Sequence, residues 1–400
     1  MDNISLSKGM LNKSNRLLPE QTVNEITFHG RTGDYFIIWL KNIILCILTL
    51  GIYLPWAIVN RRRYFMNATE INHARFEFHA KPTDILPGFV LTGLGLIVFC
   101  VLSPESLTLS LLLMTVIILL IPYMLIRLWH FNVRNTSYQG CHFSYRCDYL
   151  RLYWVTMILP VLLLIAVVII SNVSTQLYIE SSTGTNVDNV FRLLMVMCIV
   201  PFTGLFLIWT IQGKQLSELL INNLSYDKAA FSVRLVYKRL MQISLVAVLI
   251  LLPFMLAGLS QFEGVMIAMV IPPQLWPDEI RIMVMTRIAL IYLLIFCGAL
   301  MAGIYFRVAC GKYVVNAMML GNLRFRCDVT FLSYLWLILT NILLVLFTLG
   351  LGSAYADIRH ARYMAQHIRI VGDMNNIFGG HNGEGQADRR QYESVIVSAD

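Results

Sequence analysis

The chain contains eight apolar runs, each about as long as a membrane-crossing helix. They fall near residues 35–59, 85–103, 107–126, 152–171, 193–212, 240–260, 284–306 and 331–356. The hydrocarbon core of a bilayer takes about 20 apolar residues per helix. In addition, 57% of all residues are hydrophobic and 14% are charged, whereas soluble domains have about 25% charged residues. The sequence therefore predicts an all-α polytopic membrane protein and excludes a soluble enzyme.

Basic residues are distributed unevenly among the loops between these runs. Eighteen Lys and Arg residues lie in loops 60–84, 127–151, 213–239 and 307–328. A single one, Arg281, lies in the alternate loops 104–106, 172–189 and 261–283. Because basic loops stay in the cytoplasm, we expect the first set on the cytoplasmic side. The second to seventh segments then form three membrane hairpins.

The ends of the chain differ from its apolar centre. Residues 1–34 are polar and contain neither a short apolar core nor a cleavage site, so we expect no cleaved signal peptide. The tail at 372–400 is polar and rich in glycine, which is typical of a disordered end. The membrane domain is therefore predicted to span residues 35–365.

Each basic loop ends in a similar string of two short alternating runs around a polar pair. These pairs are Asn72-His73, Gln139-Gly140, Asp227-Lys228 and Gly321-Asn322. The pattern predicts small β-hairpins on the cytoplasmic side. Frayed amphipathic helix ends are the alternative, which explains the apolar residues but not the recurring pair. Because an isolated hairpin is only marginally stable, we expect the hairpins to pair into a shared sheet.

A longer repeat joins the two ends of the membrane domain. Residues 35–64 align without gaps on residues 334–363. The identities include Tyr35/Tyr334, Asn42/Asn341, Thr49-Leu50-Gly51/Thr348-Leu349-Gly350 and Arg63-Tyr64/Arg362-Tyr363. Chance matching among apolar residues does not supply Asn, Gly and Arg-Tyr at one offset, so the chain is built from duplicated units.

The first copy of this repeat carries a dense motif. It reads Leu48-Thr49-Leu50-Gly51-Ile52-Tyr53-Leu54-Pro55-Trp56-Ala57, followed by Arg61-Arg62-Arg63-Tyr64-Phe65. The motif resembles the YjgN-type bacterial inner-membrane proteins, a family whose domain has no assigned function. The resemblance implies a multi-pass protein of the bacterial inner membrane and supplies no catalytic residues. The last copy departs from the pattern, with Ser353-Ala354-Tyr355 in place of the Pro-Trp pair.

Two interpretations of the first and last apolar segments stay open. Gly51 suits a helix end and Pro55 the start of a new helix, so each segment either turns back or crosses fully. A full crossing places the basic residues after segment eight outside, against the pattern of the other loops. A re-entrant segment avoids this conflict but needs neighbouring protein to cover its turn. Lys41 also favours shallow or shielded placement, because a central Lys costs about 2.5–3.5 kcal/mol.

Few residues stand out as candidates for binding. Arg61, Arg62, Arg63 and Tyr64 form a basic and aromatic set that suits lipid headgroups, and a plain topological anchor explains them equally well. The repeat and turn motif itself comprises Thr49, Gly51, Pro55, Trp56, Thr348 and Gly350. Metal-ligand spacings, nucleophile–base pairs and nucleotide-binding glycine patterns are not found, so we predict no enzyme, no metal and no cofactor.

Two functional hypotheses follow from this organisation. A transporter or channel with a path between the pseudo-symmetric halves is favoured by the duplication and by the mid-segment prolines Pro160, Pro201 and Pro253. A membrane scaffold that binds partners through its cytoplasmic hairpin layer is favoured by uniform apolar spans that lack acids before Asp357. Its expected partners are the lipid bilayer and proteins at the cytoplasmic face, not nucleic acid.

Overall fold

Each of the four predicted turn pairs joins two antiparallel strands in the computed structural model, which describes residues 22–102, 106–181, 187–269 and 276–374. Asn72 and His73 have φ values of 46° and 62°, as a type I′ turn requires. In two of the other turns, positive φ is confined to the first residue of the pair. The hairpin prediction is therefore confirmed, and the alternative of frayed helix ends is wrong.

The hairpins belong to one closed barrel of ten antiparallel strands. The barrel closes because β1 pairs with both β2 and β10, although β1 and β10 lie at opposite ends of the chain. The all-α expectation is corrected here, since the protein is mostly helical but carries this barrel. The strands are β1 (Val23–Phe28), β2 (Thr69–Ile71), β3 (Ala74–Phe78), β4 (Thr136–Tyr138), β5 (Cys141–Tyr145), β6 (Leu224–Tyr226), β7 (Ala229–Val233), β8 (Met318–Leu320), β9 (Leu323–Cys327) and β10 (Ile368–Val371).

Side chains fill the interior of the barrel. The middle residue of β3, β5, β7 and β9 is a phenylalanine in every case. Neighbouring rings along this series have centroids 6.2–6.4 Å apart. The series is Phe76, Phe143, Phe231 and Phe325, and it packs against buried Ile71, Leu320 and Leu323. The barrel is thus a packed core, held by the same apolar burial that stabilises soluble domains.

Two buried tyrosines link neighbouring hairpins across this core. The Tyr138 hydroxyl donates to the carbonyl of Ile71 at 2.7 Å, and the Tyr226 hydroxyl donates to the carbonyl of Tyr138 at 2.8 Å. Burial raises the pKa of Tyr138 to about 12, with a smaller contribution from the charge of Glu70. Both phenols therefore stay protonated and able to donate at any physiological pH.

Eleven helices are defined in the described part of the chain. They are α1 (Thr32–Leu48), α2 (Leu54–Ala68), α3 (Pro82–Leu102), α4 (Leu107–Arg134), α5 (Tyr149–Tyr153), α6 (Leu159–Ser181), α7 (Val187–Asn222), α8 (Tyr237–Met269), α9 (Asp278–Ala317), α10 (Phe331–Phe347) and α11 (Ser353–His367). A π-helical turn, Trp154–Ile158, joins α5 to α6.

Five helical stretches are long and apolar enough to cross a membrane by length and composition. They are Pro82–Leu102, Leu107–Arg134, Tyr149–Glu180, Tyr237–Phe262 and Asp278–Ala317. The apolar run at 193–212 lies within α7. The expected count of about eight crossing segments is not confirmed, because the first and last runs are each divided between two shorter helices.

When α5, the π-helical turn and α6 are counted as one continuous arm, the helices form five successive pairs, and each pair begins and ends at the barrel. One repeated contact ties a helix to the loop that follows its strands. Arg63 Nη2 donates to the carbonyl of Ala80 at 2.9 Å, Lys312 Nζ to that of Val329 at 3.4 Å, and Arg362 Nη2 to that of Gly30 at 3.2 Å. The third contact runs from the last helix to the first strand–helix loop, so β10 and β1 complete a fifth unit of the same design.

The first helical hairpin (α1–α2) and the last helical hairpin (α10–α11) are the two copies of the long repeat. Helices α1 and α10 each have 17 residues, about 25 Å, which is shorter than a bilayer core of about 30 Å. The chain reverses at Gly51 and Gly350, whose φ values are +90° and +95°. Both hairpins therefore return to the side from which they start.

The polar backbone groups at the reversal form hydrogen bonds within the hairpin itself. The amide of Gly51 donates to the carbonyl of Cys46 at 2.7 Å, and Thr49 Oγ1 donates to Leu45 and accepts from the amide of Tyr53. The last hairpin repeats this arrangement at Thr348, without the proline. Because Leu50 is 94% exposed, the expected cover by neighbouring protein is not present in the described residues. Internal hydrogen bonds take its place.

Some of the sequence predictions concern residues that the structure does not describe. Residues 1–21 of the predicted polar segment and 375–400 of the predicted tail lie outside the described ranges. Residues 103–105, 182–186 and 270–275 also lie outside them. Residues 22–34 and 366–374 are described, and they supply β1 and β10.

Candidate binding site at the bases of the two helical hairpins

The arms of the first helical hairpin enclose a cleft of about 800 Å³ next to the barrel. Its lining is mostly polar and comes from the loop before α1, from α1 and α2, and from β3. The lining residues include His29, Arg31, Asp34, Ile38, Lys41, Asn42, Asn60, Arg63, Tyr64, Asn67 and Arg75. We call this cavity the first cleft.

The last helical hairpin encloses an equivalent but smaller cavity of about 320 Å³, the last cleft. The two linings correspond through the 299-residue offset of the repeat. The corresponding pairs are Asp34/Ser333, Ile38/Leu337, Asn60/Arg359, Arg63/Arg362, Tyr64/Tyr363 and Asn67/Gln366. Duplication has therefore produced two clefts with one geometry and different side chains.

One exchange accounts for much of the difference between them. In the last cleft, Arg359 Nη1 donates to Thr340 Oγ1 at 2.8 Å and to Asn341 Oδ1 at 3.3 Å, so its guanidinium bridges the two arms. In the first cleft the shorter Asn60 stands at the same position, and its Nδ2 donates to Asn42 Oδ1 at 3.4 Å and to the Tyr53 hydroxyl at 3.5 Å. Lys41 replaces Thr340 on the facing arm. The positive charge therefore sits on the other helix, and the space between the arms stays open.

Several of the charged groups around the first cleft already have partners. Arg75 Nε lies 3.3 Å from Glu70, and His29 Nε2 lies 3.2 Å from the same carboxylate. Arg63 is bound to the carbonyl of Ala80. Among the described residues, Arg31 and Lys41 have no carboxylate within ion-pair distance. The cleft thus has three cations without an ion-pair partner among the described residues, Arg31, Lys41 and Arg63, and Asp34 is its one lining carboxylate.

The residues of the basic motif Arg61–Tyr64 lie in different environments. Arg61 Nη2 lies 3.0 Å from Asp357, and the Tyr35 hydroxyl donates to the same carboxylate at 3.0 Å, which joins the first hairpin to the last. Arg62 is half-buried, and burial lowers the pKa of its guanidinium. Arg63 and Tyr64 line the first cleft. Only this last pair is placed where a ligand of the cleft could touch it.

The turn-motif residues lie away from the clefts. Gly51 and Gly350 form the reversals, while Thr49 and Thr348 cap the helices on both sides of them. Pro55 lies in the first turn of α2, and the Trp56 ring stacks on Tyr53 at 5.8 Å. This motif therefore builds the hairpin tips, and the candidate site is at their bases.

Asp357 and the strand β1 were not expected from the sequence. The Arg61–Asp357 contact joins residues 296 positions apart, and nothing in the local sequence of either residue indicates it. The sequence carries only a weak strand pattern for β1, in which alternate residues form the half-buried side. These residues are Asn24, Ile26 and Phe28. The sequence shows Lys41 as an unfavourable charge in an apolar run, and its place on α1 distinguishes the first cleft from the last, where the charge lies on Arg359 of the other arm.

Helices long enough to span a bilayer, attached to a filled strand barrel, define a multi-pass integral membrane protein. The chain belongs to the family described as "Bacterial protein of unknown function (DUF898)", which matches residues 23–388. Relatives named as inner-membrane proteins place it in the bacterial inner membrane, and the family description names no activity.

Two curated relatives agree with this assignment. The chain is 27% identical over 369 residues to the protein named "Inner membrane protein YjgN" of Salmonella typhimurium strain LT2, with 88% of this chain and 89% of that protein covered. It is 26% identical over 382 residues to the protein of the same name from Escherichia coli strain K12, with 89% and 92% covered. No solved structure matches the chain.

Proposed function

We propose that this protein is a membrane scaffold that holds its helical hairpins around a strand barrel on the cytoplasmic side and binds partners through the outer surface of that barrel. The filled barrel interior is the observation that carries this proposal. The rings of Phe76, Phe143, Phe231 and Phe325 pack against one another in the apolar core of the barrel. A structural role for the barrel accounts for this packing better than a conducting one.

The exposure of the helices supports the same proposal. Among the five candidate spans, the share of the most apolar window that is buried ranges from 0% to 33%. Helices that enclose a polar pathway bury more of their length against one another. Cavities in the described part of the chain include the two clefts and one beside His130 and His142, next to the barrel.

The cytoplasmic orientation rests on the positive-inside rule. Barrel-side loops carry eighteen Lys and Arg residues, and their β-turns place side chains such as His73, which is 97% exposed, on the outer surface. These charged and polar turns form a surface on which a soluble or membrane-attached protein can dock.

Photo-crosslinking in living cells tests the scaffold directly. A crosslinking amino acid at His73 or Lys228, both in barrel turns, should give a discrete protein adduct. The same amino acid at Leu50, at the tip of the first helical hairpin, should give lipid adducts alone. Protein adducts confined to Leu50, with none at either turn, would contradict partner binding through the barrel.

A transporter remains the second candidate, and the paired helical hairpins favour it. Two pseudo-symmetric hairpins joined through Arg61 and Asp357 are the type of element that lines substrate sites in transporters. Efflux from proteoliposomes loaded with a fluorescent anion or with potassium separates the two hypotheses. The scaffold predicts release equal to that from protein-free vesicles, whereas protein-dependent release would favour transport.

A further inference from the structure

The first cleft differs from the last cleft in how its basic groups are bonded: the Lys41 ammonium has no hydrogen bond or ion pair among the described residues, whereas Arg359 in the last cleft is hydrogen-bonded across the two arms. The two cavities are formed by two copies of one helical hairpin, so the last cleft shows what this geometry looks like when a side chain fills the space between the arms. There the Arg359 guanidinium lies between the arms and reaches Thr340 and Asn341. In the first cleft the corresponding space, part of about 800 Å³, is not filled by the side chain of Asn60.

The ammonium group of Lys41 makes this open space positively charged. Lys41 lies within α1, about 14 Å from the start of the helix and about 10 Å from its end. An ammonium group at this depth in an apolar helical hairpin needs a partner, since charged groups within membranes pair with one another or with polar ligands. Among the described residues none supplies a carboxylate within ion-pair distance of Lys41. The complement of this site is therefore an anion.

The entrance of the cleft adds a second basic group. Arg31 precedes α1 and lines the cleft, and no side chain caps the first amides of this helix. A helix start and a guanidinium together favour an oxyanion such as a phosphate. Asp34 lies in the same first turn and offsets one positive charge. Because Arg63 also lines the cleft, positive charge stays in excess over Asp34, which suits an anionic phosphodiester.

The surroundings of the cleft indicate where this phosphate comes from. The tip of the hairpin is apolar and exposed, with Leu50 94% and Leu48 73% accessible, so the hairpin is built to insert into lipid. Its base, where the cleft opens, then lies at the level of the headgroups. Ile38 in the lining offers an apolar contact for the start of an acyl chain.

We infer that the first cleft binds the phosphodiester of an anionic phospholipid between Lys41 and Arg31, and that the last cleft has lost this capacity because Arg359 occupies it. A soluble phosphate has the same recognition chemistry and is the alternative source. Scaffolds and transporters can both carry such a lipid, so the inference stands independently of the proposed function.

The repeat itself supplies the variant that tests this inference. Lys41→Thr with Asn60→Arg gives the first cleft the two side chains that fill the last one. The exchange keeps the net charge constant, and the last hairpin shows that this backbone accommodates both residues. Phosphatidylglycerol bound to the purified protein is measured by native mass spectrometry in detergent, with phosphatidylcholine as the reference lipid.

The wild type should retain phosphatidylglycerol in preference to phosphatidylcholine. The double variant should bind phosphatidylglycerol about tenfold more weakly, as the loss of one charge-assisted hydrogen bond requires. Arg151→Gln, an exposed change outside the cleft, should leave retention unchanged. If the double variant misfolds, Lys41→Arg provides a second test, because it keeps the charge and should keep the preference.

Equal retention of phosphatidylglycerol by the wild type and the folded double variant would overturn the inference. A separate titration adds inorganic phosphate to protein in phosphatidylcholine nanodiscs. If the double variant loses phosphate binding but keeps phosphatidylglycerol retention, the ligand is not a lipid and that part of the inference is overturned. Loss of phosphatidylglycerol retention without measurable binding of inorganic phosphate would support the lipid.

Discussion

Phe231 in the strand barrel is 7% exposed, whereas Phe296 on helix α9 is 64% exposed. The two residues are chemically identical and belong to the same chain. In water an exposed ring is costly, so the barrel closes and fills its interior. Between lipid tails the same ring has no need of protein neighbours, because the tails are as apolar as the ring. An apolar side chain is therefore buried among protein atoms when it lies in the barrel, whereas on the helices it is exposed on the surface that faces lipid.

The largest expected effect comes from removing a ring in the barrel. Phe231→Ala leaves a cavity among Phe143, Phe325 and their neighbours and should lower the free energy of unfolding by about 3–5 kcal/mol. Phe296→Ala is the matched control and should change it by less than about 0.5 kcal/mol. Unfolding in mixed micelles by added denaturing detergent measures both. Equal losses for the two variants would refute the contrast between barrel and helices.

A smaller effect is expected from one hydroxyl. Tyr138→Phe leaves the buried carbonyl of Ile71 without its donor and should cost about 1–3 kcal/mol. Tyr292→Phe, at a residue 72% exposed on α9, should cost almost nothing by the same unfolding measurement.

The pH dependence of the Tyr138 effect is also defined. The pKa of this phenol in the folded protein is about 12, above its value of about 10 in an unfolded chain. Above pH 10 the unfolded phenol ionises while the folded one does not, so the wild type loses stability as the pH rises. The stability difference between wild type and Tyr138→Phe should therefore narrow between pH 10 and 12. A constant difference over that range would contradict the buried, protonated phenol.

The smallest expected effect concerns the tip of the first helical hairpin. Gly51→Ala introduces a side chain at a φ of +90° and should cost about 1–2 kcal/mol, although no neighbouring atom lies within 4 Å of the added Cβ. Gly33→Ala in helix α1 has equal space and ordinary backbone angles, so it should be neutral or stabilising. A cost for Gly33→Ala as large as for Gly51→Ala would show that the turn geometry is not the cause.

Local signals in the sequence were enough for part of this fold. The pair Asn72-His73 adopts the turn that its residue types favour, and the apolar run 107–126 is a continuous helix, because both depend on neighbouring residues. The division of the first run at Gly51 was one of two open interpretations. The structure shows the divided form, in which the Thr49 hydroxyl donates to the carbonyl of Leu45 and accepts from the amide of Tyr53.

Closure of the barrel depends on residues that are far apart. Val23 pairs with Val371 across almost the whole chain, and no local pattern encodes such a partner. The candidate site has the same limit. The sequence identified the Arg61–Tyr64 motif, but the roles of these residues depend on Asp357 and on the space beside Lys41. Long-range packing, not local propensity, determines which basic residues are free to bind.

The orientation of the barrel is the central claim of this account, and cysteine accessibility tests it most directly. Single cysteines at Thr22, His73 and Ser106 are placed in a background without the eight native cysteines. Intact cells are treated with a thiol reagent that crosses the outer membrane but not the inner membrane. Ser106, at the opposite end of α4 from the barrel, should react, while Thr22 and His73 should not. Labelling of Thr22 with protection of His73 would mean that the first helical hairpin crosses the membrane, and would contradict a closed barrel on the cytoplasmic side.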